Sequence, residues 1–164
     1  MRGALPAALA ELERIRSYSP QGSRVIEYRG VEGLKQINFN LSKAFKEYRV
    51  FELANLDKHP GMPRYFVEKQ RQAQVDAKIT GYDLTNNPAW DIDTKVEGYK
   101  KYSKSRYIDP KIFEIKFETY IYNNCVALLN YDQKDVFGVE IYNPALAAQQ
   151  LQIFDLLWGM GKDL

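Results

Sequence analysis

Glu114, Lys116 and Glu118 lie two residues apart in the run from Ile112 to Tyr122, and Phe113, Ile115 and Phe117 fill the positions around them. Successive side chains of an extended strand project to opposite faces. The spacing therefore predicts one face with two carboxylates around an ammonium, and an apolar face behind it. The polar face either lines a cleft that hydrogen-bonds a small polar molecule such as a sugar, or is a solvated sheet surface of alternating charge. Asn123 closes the segment at an Asn123-Asn124 turn, where asparagine suits positive φ. Trp90 sits in a polar stretch and is either a lid over the core or a stacking surface for a ligand. Glu114, Lys116, Glu118, Asn123 and Trp90 form the candidate ligand-binding set.

Residue types close off other chemistries. His59 is the only histidine, which removes histidine-pair catalysis and histidine-rich metal sites. Cys125 is the only cysteine, so no intramolecular disulfide can form, and its apolar neighbours mark a core thiol. Gly30-Val31-Glu32-Gly33 follows a strand pattern and either presents amides to an anion or makes a plain tight turn. It lacks the spacing of a dinucleotide fingerprint or phosphate loop. No metal-ligand cluster or nucleophile elbow is present, so no catalytic residue, metal or cofactor is expected.

Charge and length narrow the class further. The 164 residues carry 23 basic and 21 acidic side chains, a net charge of +2, which is no footprint for gripping phosphates. A hydrophobic content of 45% suits one core, and the 12 tyrosines and 8 phenylalanines suit strands and that core. No apolar run approaches the roughly 20 residues of a membrane span. Glu11, Glu13 and Arg14 break the start as a signal peptide, so a cytoplasmic protein is expected.

The elements that must position the candidate set follow from periodicity. Leu5, Leu9, Leu12 and Ile15 predict an amphipathic helix over 4–18, packed on its own domain, on a second copy, or as the tail of a longer helix. Arg24–Tyr28 reads as a strand, followed by a helix to about Tyr48 and a strand over Arg49–Asn55. A breaker-rich loop over 57–63 precedes a helix over Arg64–Ala73 and a strand over Asp76–Thr80. From Gly81 to Ser105 the pattern is weak. Phe113–Tyr122, Cys125–Leu129 and Val136–Ile141 then read as strands. Asn143 caps a helix with Pro144 at its first position, and Leu146, Gln150, Ile153 and Leu157 face the core. Strands alternating with helices predict an α/β fold with a mixed, mainly parallel sheet flanked by helices.

The runs Tyr120–Leu129, Phe137–Ile141 and Phe154–Trp158 resemble the end of the effector domain of TrmB-type transcriptional regulators, which is phospholipase-D-like. Glu27–Leu34 resembles that family's entry into its first helix, and Arg64–Thr80 its helix followed by a strand. The resemblance implies a linker or dimerisation helix over 1–20 and a phospholipase-D-like effector domain over 21–164. It also implies a homodimer, with DNA reached only through a winged helix-turn-helix that this sequence lacks. Catalytic members of the wider phospholipase D superfamily use His-x-Lys-x-x-x-x-Asp. The resemblance lays Lys116, Glu118 and Asn123 over the histidine, lysine and aspartate. Lysine replaces the nucleophile, and Glu118 repels a phosphate rather than holding it. The expectation is a non-catalytic effector domain that senses a ligand and dimerises. A ligand-free interaction scaffold and a phosphodiesterase-like hydrolase are the alternatives.

Overall fold

The computed structural model describes residues 22–53 and 62–164, so the expected 4–18 helix and His59 lie outside the described residues. The strands are β1 (Arg24–Arg29), β2 (Glu47–Glu52), β3 (Thr80–Thr85), β4 (Ser103–Tyr107), β5 (Glu118–Tyr122), β6 (Cys125–Asn130), β7 (Phe137–Tyr142) and β8 (Lys162–Asp163). The helices are α1 (Gly30–Leu41), α2 (Arg64–Asp76) and α3 (Pro144–Met160). All eight strands join one sheet in the order β1-β7-β6-β5-β2-β3-β4-β8.

The mixed α/β fold is the expected one, but the sheet is mostly antiparallel rather than mainly parallel. Among the described residues, only β2 with β3 and β3 with β4 pair in parallel. Parallel neighbours need a long crossover, which α2 supplies between β2 and β3 and residues 86–102 supply between β3 and β4. The tight connections β5–β6 and β6–β7 can join only antiparallel neighbours. Asn123 makes the first of these turns at φ 49, as its residue type suggests.

Several boundaries move for local reasons. Lys46, at φ 69, turns the chain into β2 earlier than hydropathy indicates, so α1 ends at Leu41. Asp76–Thr80 is not a strand: α2 runs on to Asp76, Lys78 turns the chain at φ 56, and β3 begins at Thr80. Residues 113–117 are not a strand either. The Asn86 side chain donates to the carbonyls of Ile108 and Phe113 and accepts from the Ile115 amide at 2.8 Å, occupying groups a ladder would need. The Gly30–Gly33 stretch is the first turn of α1, and its Gly30 amide is already bound to the Val136 carbonyl at 2.8 Å.

Two apolar layers sandwich the sheet. On one face Val50, Tyr120, Ala127 and Leu129 meet Leu34, Ile37 and Leu41 of α1. Gly138 keeps that approach open, because a Cβ there would collide with Ile37 and Leu34. The other face places Phe51, Leu84 and Ile121 against Phe154 and Leu157 of α3. Burial of Phe154, fully excluded from solvent, contributes about 2–3 kcal/mol. The Asn143 cap is present, its side chain accepting from the Leu146 amide at 2.9 Å. The core stripe of α3 is Ala147, Phe154 and Leu157, while Ile153 is exposed. Among the described residues, no helix is long and apolar enough to cross a membrane.

Candidate functional site

α2 lies over β2 and β3, fixed by Gln74, which accepts from the Tyr48 hydroxyl and donates to the Tyr102 carbonyl, both at 3.1 Å. Between α1, α2 and the sheet is a cavity of about 500 Å3, towards the carboxyl ends of parallel β2 and β3. Open α/β sheets commonly hold their ligands outside those strand ends.

Three buried carboxylates line it, Glu52, Asp83 and Glu118, which are 8%, 4% and 1% exposed. Their strands put them on one face. Val50 pairs with Asp83 on one side and with Tyr120 on the other. The same antiparallel register, which pairs Phe51 with Thr119, carries Glu52 opposite Glu118 one step on. Like charges in that relation repel.

Burial is the largest cause of the shift in each carboxyl. It pushes Glu118 up to about 7, opposed by hydrogen bonds from Tyr131 and Tyr120 and reinforced by the nearby Asp83 charge. Asp83 rises to about 6, with Ser103, Ser105 and Arg71 holding it down. Glu52 is driven well above the usual carboxylate range by burial, then by Glu118 and Asp83. Charge cannot enter this cluster cheaply, because burial and mutual repulsion both favour the protonated forms.

The polar inventory is unbalanced. Tyr120 and Tyr131 both donate to Oε1 of Glu118, at 2.8 and 2.7 Å, while Oε2 has no donor among the described residues. Trp90 Nε1 and Gln70 Oε1, also lining the cavity, are buried without partners there. Buried polar groups are normally paired, and three unsatisfied atoms around one cavity match the inventory of a binding site. The cations nearby are engaged at the rim: Arg64 with Asp93 and Arg71 with Glu68, each at 2.8 Å.

Of the candidate set, the structure brings together Glu118 and Trp90 alone. Glu114 and Lys116 pair with each other at 3.2 Å, largely exposed, beside a shallow groove on the α3 side of the sheet. They do not share a face with Glu118, because the segment before β5 is irregular. Asn123 lies at the far end of β5, about 17 Å along the strand from Glu118, and accepts from the Phe45 amide at 2.8 Å. Lys116, Glu118 and Asn123 therefore do not converge. Phe117 is also exposed rather than in the core.

Sequence reasoning missed Glu52, Asp83 and the tyrosines. One signal was available: Glu52 stands between Phe51 and Leu53 in an apolar strand run, where a carboxylate has no structural reason to be.

A second buried carboxylate on the same face behaves differently. Glu140, with no exposure, accepts from the hydroxyls of Tyr28, Tyr122 and Tyr142 and from the Asn40 amide, so both its oxygens are served. It is a closed structural cluster. Cys125 beside it is a fully buried thiol that burial pushes up to about 11.

No family model matches the chain, and no curated protein matches it in sequence. Solved structures do. TrmBL2, an archaeal chromatin protein with a novel mode of DNA binding, aligns at a TM-score of 0.61 and 15% identity, covering 98% of this chain and 64% of its own. The chain thus spans less than two thirds of TrmBL2. Nuc from Salmonella typhimurium, a phospholipase D family member, aligns at 0.63 and 15% identity, covering 87% of this chain and 98% of its own. NucT from Helicobacter pylori aligns at 0.57 and 8% identity, covering 87% and 99%. The likeness is one of fold, and the chain is a phospholipase-D-like α/β domain.

Proposed function

We propose that the chain is a non-catalytic effector domain that senses a small polar ligand such as a sugar. In this reading it pairs with a second copy and serves a transcription regulator whose DNA contacts are made by a winged helix-turn-helix. The observation that carries the reading is the cavity over β2, β3 and β5, with its unpartnered Glu118 oxygen. A domain used only for pairing would have no need of such a chamber, since each buried unpaired polar group costs about 1–3 kcal/mol. The fold it shares with TrmBL2 supports the regulatory setting.

Catalysis is not part of the reading. Lys116 is exposed and paired, Glu118 is a buried acid, and Asn123 is held at a distant turn. An acidic chamber also disfavours a phosphodiester.

Thermal melts in a broad panel of sugars, nucleosides and amines test the sensor, because a ligand bound only by the folded state raises the midpoint. A flat response across the panel would replace the sensor with a ligand-free scaffold. Hydrolysis of a chromogenic phosphodiester by the purified protein would overturn the non-catalytic part. Light scattering is expected to give a dimer, and a monomer at high concentration would remove the pairing.

A further inference from the structure

We infer that the cavity takes a small protonated amine, seated on Glu118, Glu52 and Asp83, rather than a neutral or anionic sugar; this rests on the sensor reading and specifies its ligand. Among the described residues, no ion pair reaches any of the three buried carboxylates. Among the described residues, Arg64 is engaged by Asp93, Lys100 by Asp91, and Arg71 by Glu68 and the Asp93 carbonyl. The chamber is thus acidic within and self-neutralised at its rim. A ligand bringing a positive charge replaces the missing partner, and an anionic one adds to the repulsion.

The hydrogen-bond inventory points the same way. Glu118 Oε2 and Gln70 Oε1 are acceptors awaiting donors. An ammonium supplies three donors and accepts nothing, which matches two orphaned acceptors and a row of acids. Trp90 Nε1 is the single orphaned donor among the described residues, and a hydroxyl on the same ligand answers it. The aromatic rings of Trp90, Tyr48 and Tyr99 also border the chamber, and faces of this kind attract cations.

The spread of the acids suits an amine better than a metal ion. Among the described residues, no three acid, histidine or cysteine side chains are grouped closely enough to hold one ion. Asp83 sits diagonal to Glu52 across β2 and β3, so the acids are spread over the floor rather than focused on a point. A chamber of about 500 Å3 is in the range for a small organic molecule.

The test compares matched probes by thermal melt and calorimetry: glucosamine against glucose and glucuronate, and cadaverine against its neutral diol. We expect glucosamine or cadaverine to raise the midpoint by about 5–10 °C at a hundredfold excess over Kd, with little from the uncharged or anionic partners. The same shift is expected to vanish in Glu118→Gln. Asp83→Asn serves as an independent second variant should the first fail to fold. An equal or larger response to glucose or glucuronate overturns the amine while leaving the sensor intact. No response to either amine also overturns it, and the broader panel then decides the sensor separately. Retention of the full shift in both variants overturns the seat.

Discussion

Tyr131 donates its hydroxyl to Oε1 of Glu118 at 2.7 Å, and the other oxygen of that cavity-lining carboxylate is buried without a donor among the described residues. Two tyrosines thus serve one oxygen and none serves the other. Glu140, buried on the same sheet face, has four side-chain donors spread over both oxygens. The same residue type is closed in one place and open in another. The first arrangement holds a sheet together, and the second leaves room for a guest.

Glu118→Gln is expected to stabilise the unliganded protein at about pH 8, by about 1–3 kcal/mol. The amide oxygen still accepts from Tyr120 and Tyr131, and the charge that burial penalises is gone. Urea denaturation of both proteins gives the difference. A clear loss of stability would mean that the ionised carboxylate has a partner the argument leaves out.

Stability should fall as the solution becomes more alkaline across the range in which these acids titrate. Glu118 is raised to about 7, Asp83 to about 6 and Glu52 well above the usual range, all chiefly by burial. Unfolded carboxyls titrate near 4. Between about 4 and 7 the folded state therefore holds more protons, and the unfolding free energy decreases with rising pH. The contribution is complete below the unfolded values and lost above the folded ones. Unfolding free energies from denaturant melts at about pH 5 should exceed those at about pH 8 by on the order of 3 kcal/mol. Glu118→Gln should flatten the slope, and a midpoint rising with pH contradicts the assignment.

Tyr122→Phe addresses the closed cluster. The Tyr122 hydroxyl donates to Oε1 of buried Glu140, so its removal deprives a carboxylate with no exposure of one donor. A cost of about 1–3 kcal/mol follows, with no change in any ligand response. Altered ligand response in a folded Tyr122→Phe protein would link the two clusters, contrary to their separate hydrogen-bond sets.

How much of this was legible in the sequence depends on which face a strand buries. β6 and β7 were readable because their inner positions are apolar or flanked by clear turns. β3 and β4 were not, because Asp83, Ser103 and Ser105 occupy the inward positions and erase the hydropathy signal. The feature that hid those strands is the one that makes the site. Alternation over 113–118 was real in the sequence but cancelled by Asn86, 29 residues from Ile115, whose side chain takes over the backbone there. A contact at that range leaves no local trace.

The divided fate of Glu118 and Lys116 gives the last prediction. Alternation groups them, but the structure buries the first in the cavity and leaves the second largely exposed in a pair with Glu114. Exposed pairs of this kind contribute about 0–1 kcal/mol. Lys116→Ala should therefore shift the denaturation midpoint by no more than that and leave the ligand response untouched. Trp90→Ala should weaken the same response, because it removes the one orphaned donor at the chamber and an aromatic surface with it. If Lys116→Ala abolishes ligand binding while Trp90→Ala is silent, the site belongs on the α3 side, at the groove beside Phe113 and Phe117.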